Sequence, residues 1–265
     1  MTALITGASS GIGLELARIF AANRHDVVLV ARSEDKLREA ARECEGKGVR
    51  AHVIAADLAR PGAAGAIAAA VASLGVQVDV LVNNAGFGVY GAFLETPAAR
   101  EIESIQVNVV ALTELTKVFL PSMVRRRSGR ILNVASTAAF VPGPLMAIYY
   151  ATKAYVVSFS EAIANELEGT GVTVTVLCPG PTATGFQSAA NLEGSRIVSL
   201  LRKADSLSVA KAGYEAVMAG KVLAVPGISN KIGALTPRLF PRAVIRKVVR
   251  AIQEPRAKAA AKGDV

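Results

Sequence analysis

Two adjacent tyrosines stand close to a lysine in the segment 149–153, which reads YYATK, and a phenol beside an ammonium group suits proton transfer. Tyr149 and Lys153 are four residues apart, so a helix places them on one face about one turn apart. Tyr150 is three residues from Lys153, so helical spacing alone does not exclude it as the acid. An unperturbed tyrosine has a pKa of about 10, which a nearby cation lowers. The alternative is that both tyrosines fill a core.

A glycine-rich segment, TGASSGIG at 6–13, follows a predicted strand and opens a predicted helix. Glycines at such a position allow a tight turn and let the backbone approach a pyrophosphate, which then lies against the free N–H groups of the helix N-terminus. The glycine pattern by itself is weak evidence, and its alternative is an ordinary strand-to-helix turn. The predicted dinucleotide-binding residues of this loop are Gly7, Ser9, Ser10, Gly11, Ile12 and Gly13.

The second predicted strand ends in Ala31 and Arg32, where an acidic residue would bind a free ribose 2′-hydroxyl. A guanidinium at this position suits a 2′-phosphate through bidentate hydrogen bonds. Glu34 and Asp35 follow Ser33 and fit a helix cap and first turn. A solvated Arg32 is the alternative. We predict a preference for NADP(H) over NAD(H).

The order of elements explains how these residues meet. Short β-branched runs occur at 3–6, 26–31, 50–55, 79–82, 130–134, 172–178 and 221–225. They alternate with helical segments at 12–23, 34–45, 62–74, 98–126, 148–168 and 209–219. This alternation predicts parallel βαβ units in a doubly wound α/β architecture, with a sheet covered on both faces. Asp57 and Leu58 follow the third strand at the same carboxyl edge, where Asp57 would meet an adenine or serve as a turn or cap residue.

Six features occur in order along the chain: TGASSGIG at 6–13, NNAG at 83–86, Asn108, Ser136, YYATK at 149–153 and PGPTAT at 179–184. Together they resemble the short-chain dehydrogenase/reductase family over residues 1 to about 228. The resemblance implies a three-layer Rossmann fold with a seven-stranded parallel sheet, and hydride transfer between a nicotinamide and a carbonyl or secondary alcohol. It also implies Asn108, Ser136, Tyr149 and Lys153 as catalytic residues.

The family's Tyr-x-x-x-Lys spacing selects Tyr149 as the acid and leaves Tyr150 to pack or to line the cleft. Tyr149 would protonate the carbonyl oxygen, and Ser136 would donate a hydrogen bond to it. Lys153, together with the oxidised nicotinamide, would lower the pKa of the tyrosine and would bind the ribose hydroxyls. Asn108 would hold a water that links Lys153 to solvent. Taken singly, Ser136 also suits a turn cap, Asn108 a polar helix surface, and Lys153 a solvated charge.

Further cofactor positions are implied at other strand ends. Asn83 and Asn84 would tie backbone between strands, and Gly180 would form a turn. Thr182 stands where the family more often has an aliphatic residue. The implied contacts of this group are Asn84, Ala85, Gly86, Tyr149, Lys153, Pro179, Gly180, Thr182 and Thr184.

The substrate is expected between the loop 87–95 and the segment 185–205, which interrupts the alternation and reads as a flap. Apolar residues favour a hydrophobic ketone, a steroid-like molecule or a 3-oxoacyl thioester. The expected lining residues are Phe87, Tyr90, Phe93, Phe186 and Leu192.

Composition bounds the class of protein. The 265 residues carry a net charge of +9, but nine Lys/Arg and only two acidic residues lie from 231 onward, so the body is nearly neutral and a nucleic-acid partner is not expected. Cys44 and Cys178 are far apart, and neither a disulfide nor a metal site is predicted. No secretory signal is expected, nor any stretch close to the roughly 20 apolar residues of a membrane span, so we predict a cytoplasmic protein.

The chain is predicted to divide into a catalytic domain at 1–228 and a basic extension at 229–265. The extension contains a helix with Val244, Ile245, Val248, Val249 and Ile252 on one face. Such a stripe usually packs within its own subunit or on a dimer mate, while a basic amphipathic helix also suits an anionic membrane surface. A homodimer or homotetramer is expected. The rival from another class is a non-catalytic NADP(H) sensor or scaffold, which is expected to lack the tyrosine and lysine pair.

Overall fold

The computed structural model describes residues 1–183 and 204–254, and its centre is a seven-stranded parallel sheet. The strands are β1 (Thr2–Thr6), β2 (Asp26–Ala31), β3 (Ala51–Ala55), β4 (Val80–Asn83), β5 (Gly129–Val134), β6 (Val172–Leu177) and β9 (Leu223–Ala224), in the spatial order β3-β2-β1-β4-β5-β6-β9. Two short strands, β7 (Thr182–Ala183) and β8 (Ala204–Asp205), pair separately. The doubly wound α/β fold and the seven-stranded sheet are therefore confirmed.

Helices cover the sheet. They are α1 (Gly11–Ala22), α2 (Glu34–Glu45), α3 (Ala63–Ser73), α4 (Ala98–Ile105), α5 (Leu112–Arg125), α6 (Ala147–Glu166), α7 (Ser206–Met218), α8 (Ile228–Leu235) and α9 (Arg242–Gln253). Single-turn 3₁₀ segments occur at Thr137–Phe140 and Thr236–Leu239. The six segments predicted from periodicity correspond to α1, α2, α3, α4 with α5, α6 and α7, and the predicted C-terminal amphipathic helix corresponds to α9. The sequence argument did not anticipate α8.

Side chains that alternate between the two faces of the strands pack against helices on both sides of the sheet and so form the three layers. Ala3 and Ile5 of β1 pack with Leu16 and Phe20 of α1 on one face of the sheet. Leu4 lies on the opposite face, in a cluster that includes residues of α3 and α5. Because successive side chains of a strand point to opposite faces, one apolar strand supplies both cores.

The long helical stretch from Ala98 to Arg125 is continuous, but its middle turn, Gln106–Ala111, is π-helical. An extra residue in a helical turn rotates the following side chains, and such turns often occur at functional sites. The stretch is long and apolar enough to cross a bilayer, judged by length and composition only. The expectation that no segment meets this test was wrong. Here α5 buries Leu115, Phe119 and Met123 against the fold, as a core helix does.

The site-forming loops meet where the sheet order reverses. Strands β1 and β4 are neighbours, and their connections leave toward opposite faces, which opens a crevice beyond their carboxyl ends. Thr6, Asn83 and Val134 end β1, β4 and β5 at this edge. Of the predicted flap at 185–205, only its last two residues lie in the described part of the chain, where they form β8.

Candidate active site

A cleft of about 770 Å³ lies at the carboxyl edge of the sheet. It collects residues from the loops after β1 to β6, as expected of a doubly wound fold. The predicted residues that line it are Gly7, Ser9, Ser10, Gly11, Ile12, Arg32, Asp57, Leu58, Asn84, Ala85, Gly86, Ser136, Tyr149, Lys153, Pro179, Gly180 and Thr182. Thr184 lies outside the described residues. The structure therefore brings these predicted residues together along one cleft.

The glycine loop forms one end of the cleft. Gly7 and Gly11 have φ values of +67° and +56°, which side chains with a Cβ rarely adopt. Gly13 does not line the cleft. A Cβ there would lie 2.3 Å from the carbonyl oxygen of Gly7 and 2.5 Å from Asn84 Nδ2, so this glycine lets the helix pack against the loop. The arrangement leaves the N-terminus of α1 facing the cleft, as an anion site requires.

Asn84 holds the glycine loop to the neighbouring strand. Its Nδ2 donates to the carbonyl oxygens of Thr6 (2.9 Å) and Gly7 (3.3 Å), and its backbone N–H donates to Thr6 Oγ1 (3.0 Å). Thr6 Oγ1 also accepts from the N–H of Ala85 and donates to the carbonyl of Val82. The backbone-tying role expected of Asn84 is therefore present. The sequence argument missed Thr6, whose hydroxyl organises both loops.

Cations gather at the end of β2. Arg32 is exposed and lines the cleft, and Lys36 in the first turn of α2 lines it as well. Arg60 joins Arg32 along an adjoining recess. Glu34 forms an ion pair with Arg38 on α2, so its carboxylate does not neutralise Arg32. Sequence reasoning missed Lys36. The available signal was a lysine in the first turn of α2, the helix that begins two residues after Arg32.

Asp57 serves its local turn and also faces the cleft. Its Oδ1 accepts a hydrogen bond of 3.1 Å from the N–H of Ala59, which is the turn role weighed as the alternative. Asp57 and Leu58 both line the cleft on the side of β3. The two readings of Asp57 are therefore compatible.

Tyr149 and Ser136 form the reactive end of the cleft. Ser136 lies two residues beyond the end of β5 and caps the 3₁₀ turn, since its Oγ accepts from the N–H of Ala138 at 3.1 Å. Ser136 also hydrogen-bonds to the phenol of Tyr149. Gly88 packs on the other side of the phenol ring, where a Cβ would lie 3.0 Å from Tyr149 Cδ2. The serine therefore both caps a turn and contacts the proposed acid.

Lys153 is buried behind the tyrosine. Its Nζ donates to the carbonyl oxygen of Val134 at 2.8 Å and lies 5.7 Å from the centroid of the Tyr149 ring. A Cβ on Gly86 would lie 3.4 Å from this Nζ and 2.9 Å from Asn108 Oδ1. Glycine at 86 therefore leaves open the space in which lysine and asparagine converge.

Asn108 lies in the π-helical turn and is 1% exposed, so it is not a surface residue. Its Nδ2 donates to the carbonyl of Phe87 (2.9 Å) and to Thr152 Oγ1 (3.0 Å). Its Oδ1 accepts from the N–H of Phe87 (3.1 Å). Asn108 thereby joins the loop after β4 to helix α6, which carries Tyr149 and Lys153.

Burial has the largest effect on the pKa values of Tyr149 and Lys153. Desolvation raises the pKa of Tyr149 above its ordinary value, while the hydrogen bond to Ser136 opposes the rise. Desolvation lowers the pKa of Lys153 from 10.5 to about 8. The sequence argument expected a lowered tyrosine pKa. In the protein alone the cost of burying the phenolate is the largest influence on the pKa of Tyr149 and outweighs the hydrogen bond to Ser136.

The residues fit a nicotinamide dinucleotide. The positive φ angles of Gly7 and Gly11 produce a backbone cradle at a helix N-terminus, and cations occupy the end of β2. Thr182 Oγ1 donates to the carbonyl of Gly180, and a Cβ on Gly180 would lie 2.4 Å from Asn230 Oδ1, so this turn is fixed by α8. No group of three or more potential metal-ligating side chains occurs within residues 1–183 and 204–254.

The apolar end of the cleft differs in part from the expectation. Phe87 lines it, and Tyr90 packs with Ala138, Met146 and Tyr150. Phe93 is 66% exposed and does not line the cleft, so its predicted role was wrong. Phe186 and Leu192 lie outside the described residues. Sequence reasoning also missed Gln253 at the end of α9, which is fully buried and contacts Tyr150.

Comparison with known proteins was made for sequence and for structure. The sequence model for short chain dehydrogenases matches residues 1–194. Ketoacyl reductase HetN of Nostoc sp. is 38% identical over 180 residues, which are 68% of this chain and 62% of HetN. The match thus spans less than two thirds of that relative.

Two solved structures are similar over most of the chain. A short-chain dehydrogenase from Sphingobium yanoikuyae in complex with NADPH has a TM-score of 0.81 at 30% identity, and the match covers 99% of each chain. The bulky-bulky ketone specific alcohol dehydrogenase from Comamonas testosteroni has a TM-score of 0.76 at 29% identity, covering 90% of this chain and 92% of that one. With its motifs gathered in one cleft and these matches, the chain belongs to the short-chain dehydrogenase/reductase family.

Proposed function

We propose that this protein is an NADPH-dependent carbonyl reductase for bulky, hydrophobic ketones, reversible as an alcohol dehydrogenase. The observation that carries the proposal is the convergence of Tyr149, Ser136 and Lys153 on one cleft whose far wall is apolar. A sensor or scaffold is disfavoured, because such a protein has no need of a buried lysine behind a buried tyrosine.

In the direction of reduction, the chemistry that a bound NADPH would supply is a hydride, with its two electrons, for the carbonyl carbon. Tyr149 supplies the proton to the carbonyl oxygen, so the product is an alcohol and the residue becomes a tyrosinate. Ser136 donates a hydrogen bond to the same oxygen and stabilises the negative charge that develops on it. Its turn-capping bond to Ala138 fixes the hydroxyl before the substrate arrives.

Lys153 stabilises the tyrosinate and binds the ribose hydroxyls of the cofactor. With a pKa of about 8, it is still largely protonated at neutral pH and is able to release a proton more easily than an exposed lysine. Asn108 holds the loop after β4 against α6 through its bonds to Phe87 and Thr152. In our proposal it also holds the water that connects Lys153 to solvent.

Selection of NADPH is assigned to Arg32, with Lys36 as a second cation on the same wall. We expect Arg32→Ala to raise the KM for NADPH by about ten-fold or more while leaving the KM for NADH nearly unchanged, since a charge-assisted bond contributes about 1.5–3 kcal/mol. Arg38→Ala is the matched control, because Arg38 lies on the following helix, α2, is paired with Glu34 and does not line the cleft. Equal losses for both cofactors in Arg32→Ala would contradict the assignment.

The substrate class is proposed from the apolar wall formed by Phe87, Met146 and Tyr150. The specificity of the similar Comamonas enzyme for bulky-bulky ketones supports this class. The test is NADPH consumption with a series of ketones of increasing bulk, together with steroid-like ketones and 3-oxoacyl thioesters. Rates that rise with bulk support the proposal, whereas activity confined to small aliphatic ketones would refute it.

We further propose a cytoplasmic homo-oligomer, a dimer or tetramer, that contacts an anionic membrane surface peripherally. The segment 228–253 contains six Lys/Arg and no acidic residue. Seven of its large apolar side chains are at least 46% exposed. They are Ile228, Ile232, Leu235, Leu239, Phe240, Val244 and Val248. Exposed apolar side chains and cations in the same segment are suited to binding a bilayer that contains anionic lipid.

Sedimentation with vesicles tests the membrane proposal. Binding is expected with vesicles that contain phosphatidylglycerol and not with phosphatidylcholine alone, and it should be lost in Phe240→Ser. Ile102→Ser is the control, because Ile102 is an exposed apolar residue on α4, outside this surface. Light scattering after gel filtration gives the subunit number of each variant. If Phe240→Ser changes the subunit number and not vesicle binding, the surface is a subunit interface and the membrane proposal fails.

A further inference from the structure

The last helix ends inside the wall of the substrate end of the cleft. Helix α9 is exposed over most of its length, and Gln253, its last residue, is its one buried side chain. Val249, one turn earlier, packs against the cluster of Ala138, Met146 and Tyr150. The apolar stripe, for which packing on the protein and contact with a membrane surface were the two alternatives, is therefore divided. Its inner part docks beside the active site, whereas Val244 and Val248 stay exposed.

Gln253 joins two elements that flank the reactive tyrosine. The phenol of Tyr90, in the loop after β4, donates to the carbonyl oxygen of Gln253 at 2.5 Å. The side chain of Gln253 is fully buried and lies against the phenol of Tyr150 of α6. Tyr90 and Gln253 are 163 positions apart in the chain, so the contact is tertiary and not a local cap.

Tyr150 transmits this contact to the acid. Its ring packs edge-on against Tyr149, with the ring centroids 6.1 Å apart and an interplanar angle of 77°. On the other side Gly143 lies so close that a Cβ there would be 2.1 Å from Tyr150 Cγ. The ring therefore has little room, and its hydroxyl is held where Gln253 meets it. Tyr150 also lines the cleft, so its position sets the shape of the cavity next to Tyr149.

The polar contact of Gln253 with Tyr90 indicates that this end of α9 does more than attach the helix to the protein. The part-buried phenol of Tyr90 makes its hydrogen bond to the main-chain carbonyl oxygen of Gln253, and such a bond in an apolar cluster requires the right geometry. A polar, direction-dependent contact fixes the distance between the loop, α6 and α9, and that distance is the width of the substrate end.

We propose that Gln253 is a specificity-determining residue, which clasps Tyr90 and Tyr150 and thereby sets the size of ketone that fits beside Tyr149. Gln253 is a positioning residue and takes no part in proton or hydride transfer. The inference rests on the proposed carbonyl reductase function and deepens it, because it assigns the discrimination of substrate size to the C-terminal helix.

Kinetics with a small and a bulky ketone test the clasp. In Gln253→Ala the KM for the bulky ketone is expected to change by about ten-fold, the range seen for small changes in an apolar pocket, with kcat nearly unchanged. The KM for the small ketone and the Kd for NADPH should stay as in the wild type. Tyr90→Phe, which removes one bond of the clasp and keeps the ring, should shift the ratio of kcat/KM values in the same direction by less. Val248→Ala, on the exposed face of α9, is the matched control.

The outcomes separate the clasp from the proposed function. An unchanged ratio in Gln253→Ala, or the same change in Val248→Ala, would overturn the assignment. Hydrogen exchange of the protein alone provides a readout without turnover, and Gln253→Ala is expected to speed exchange in the loop 87–95 while α3 is unaffected. If the wild type reduces no ketone but exchange in that loop increases, the carbonyl reductase function fails and the clasp stands as structure. If exchange in the loop is unchanged, the clasp itself is wrong.

Discussion

Replacement of Lys153 by methionine is expected to inactivate the enzyme. At neutral pH it should also remove the free-energy cost of burying a charged lysine in the folded protein. Burial lowers the pKa of this lysine from 10.5 to about 8. A shift of this size means that holding the charge at pH 7 costs about 3 kcal/mol. The substitution also leaves the carbonyl of Val134 without its 2.8 Å donor, which costs about 1–3 kcal/mol. Lys153→Met should therefore be as stable as the wild type at pH 7, or more stable by up to about 2 kcal/mol.

The pH dependence is the sharper part of this prediction. Between pH 8 and 10.5 the unfolded chain binds more protons at this lysine than the folded chain, so the stability of the wild type gains from rising pH. Lys153→Met lacks this contribution. Its advantage over the wild type should therefore shrink by about 2 kcal/mol between pH 7 and pH 9.5.

Urea unfolding of both proteins without cofactor, at matched pH values, gives the difference directly. Comparing two variants cancels the titration of all groups they share. Lys221→Met is the control, because Lys221 is exposed and is far from the cleft. A difference between Lys153→Met and the wild type that does not vary with pH would refute the claim that a charged lysine is buried behind Tyr149.

Two glycine substitutions test the packing of the site. Gly13→Ala should weaken NADPH binding and destabilise the fold by about 1–3 kcal/mol, because its Cβ would lie 2.3 Å from the carbonyl of Gly7; NADPH fluorescence titration and thermal unfolding measure both. Gly65→Ala, whose Cβ has no neighbour within 4 Å, should instead stabilise by about 0.5–1 kcal/mol, and equal behaviour of the two would contradict the packing argument. Gly143→Ala should displace the ring of Tyr150 and raise the KM for a bulky ketone more than for a small one, and an unchanged KM ratio would show that the ring tolerates the new methyl group.

Much of the fold was predictable because its signals are local. Apolar strands such as 26–31 and 172–178 alternate with amphipathic helices, and a buried parallel sheet follows from that pattern. The position of Ser136 after β5 and the spacing of Tyr149 and Lys153 on α6 were sufficient to bring the three residues to one edge. The glycine loop was recognisable because positive φ angles require glycine.

The remaining features depend on contacts that no local pattern encodes. The sequence shows an apolar stripe in 244–252, but not that Val249 docks beside Tyr150 while Val248 stays exposed. Gln253 looks like an ordinary helix-end polar residue until the fold places it against Tyr90. The raised pKa of Tyr149 was missed for a related reason, since the extent of burial is a property of the folded site and not of the motif.

The most direct test of the account is NADPH consumption by the wild type, Tyr149→Phe and Tyr150→Phe with the smallest ketone that the wild type reduces. Removing the general acid should lower kcat by about 10²–10⁴-fold in Tyr149→Phe. Tyr150→Phe keeps the packed ring and the acid, so it should retain most of the turnover of this small substrate. Unimpaired turnover in Tyr149→Phe, with loss in Tyr150→Phe, would contradict the assignment of the proton donor.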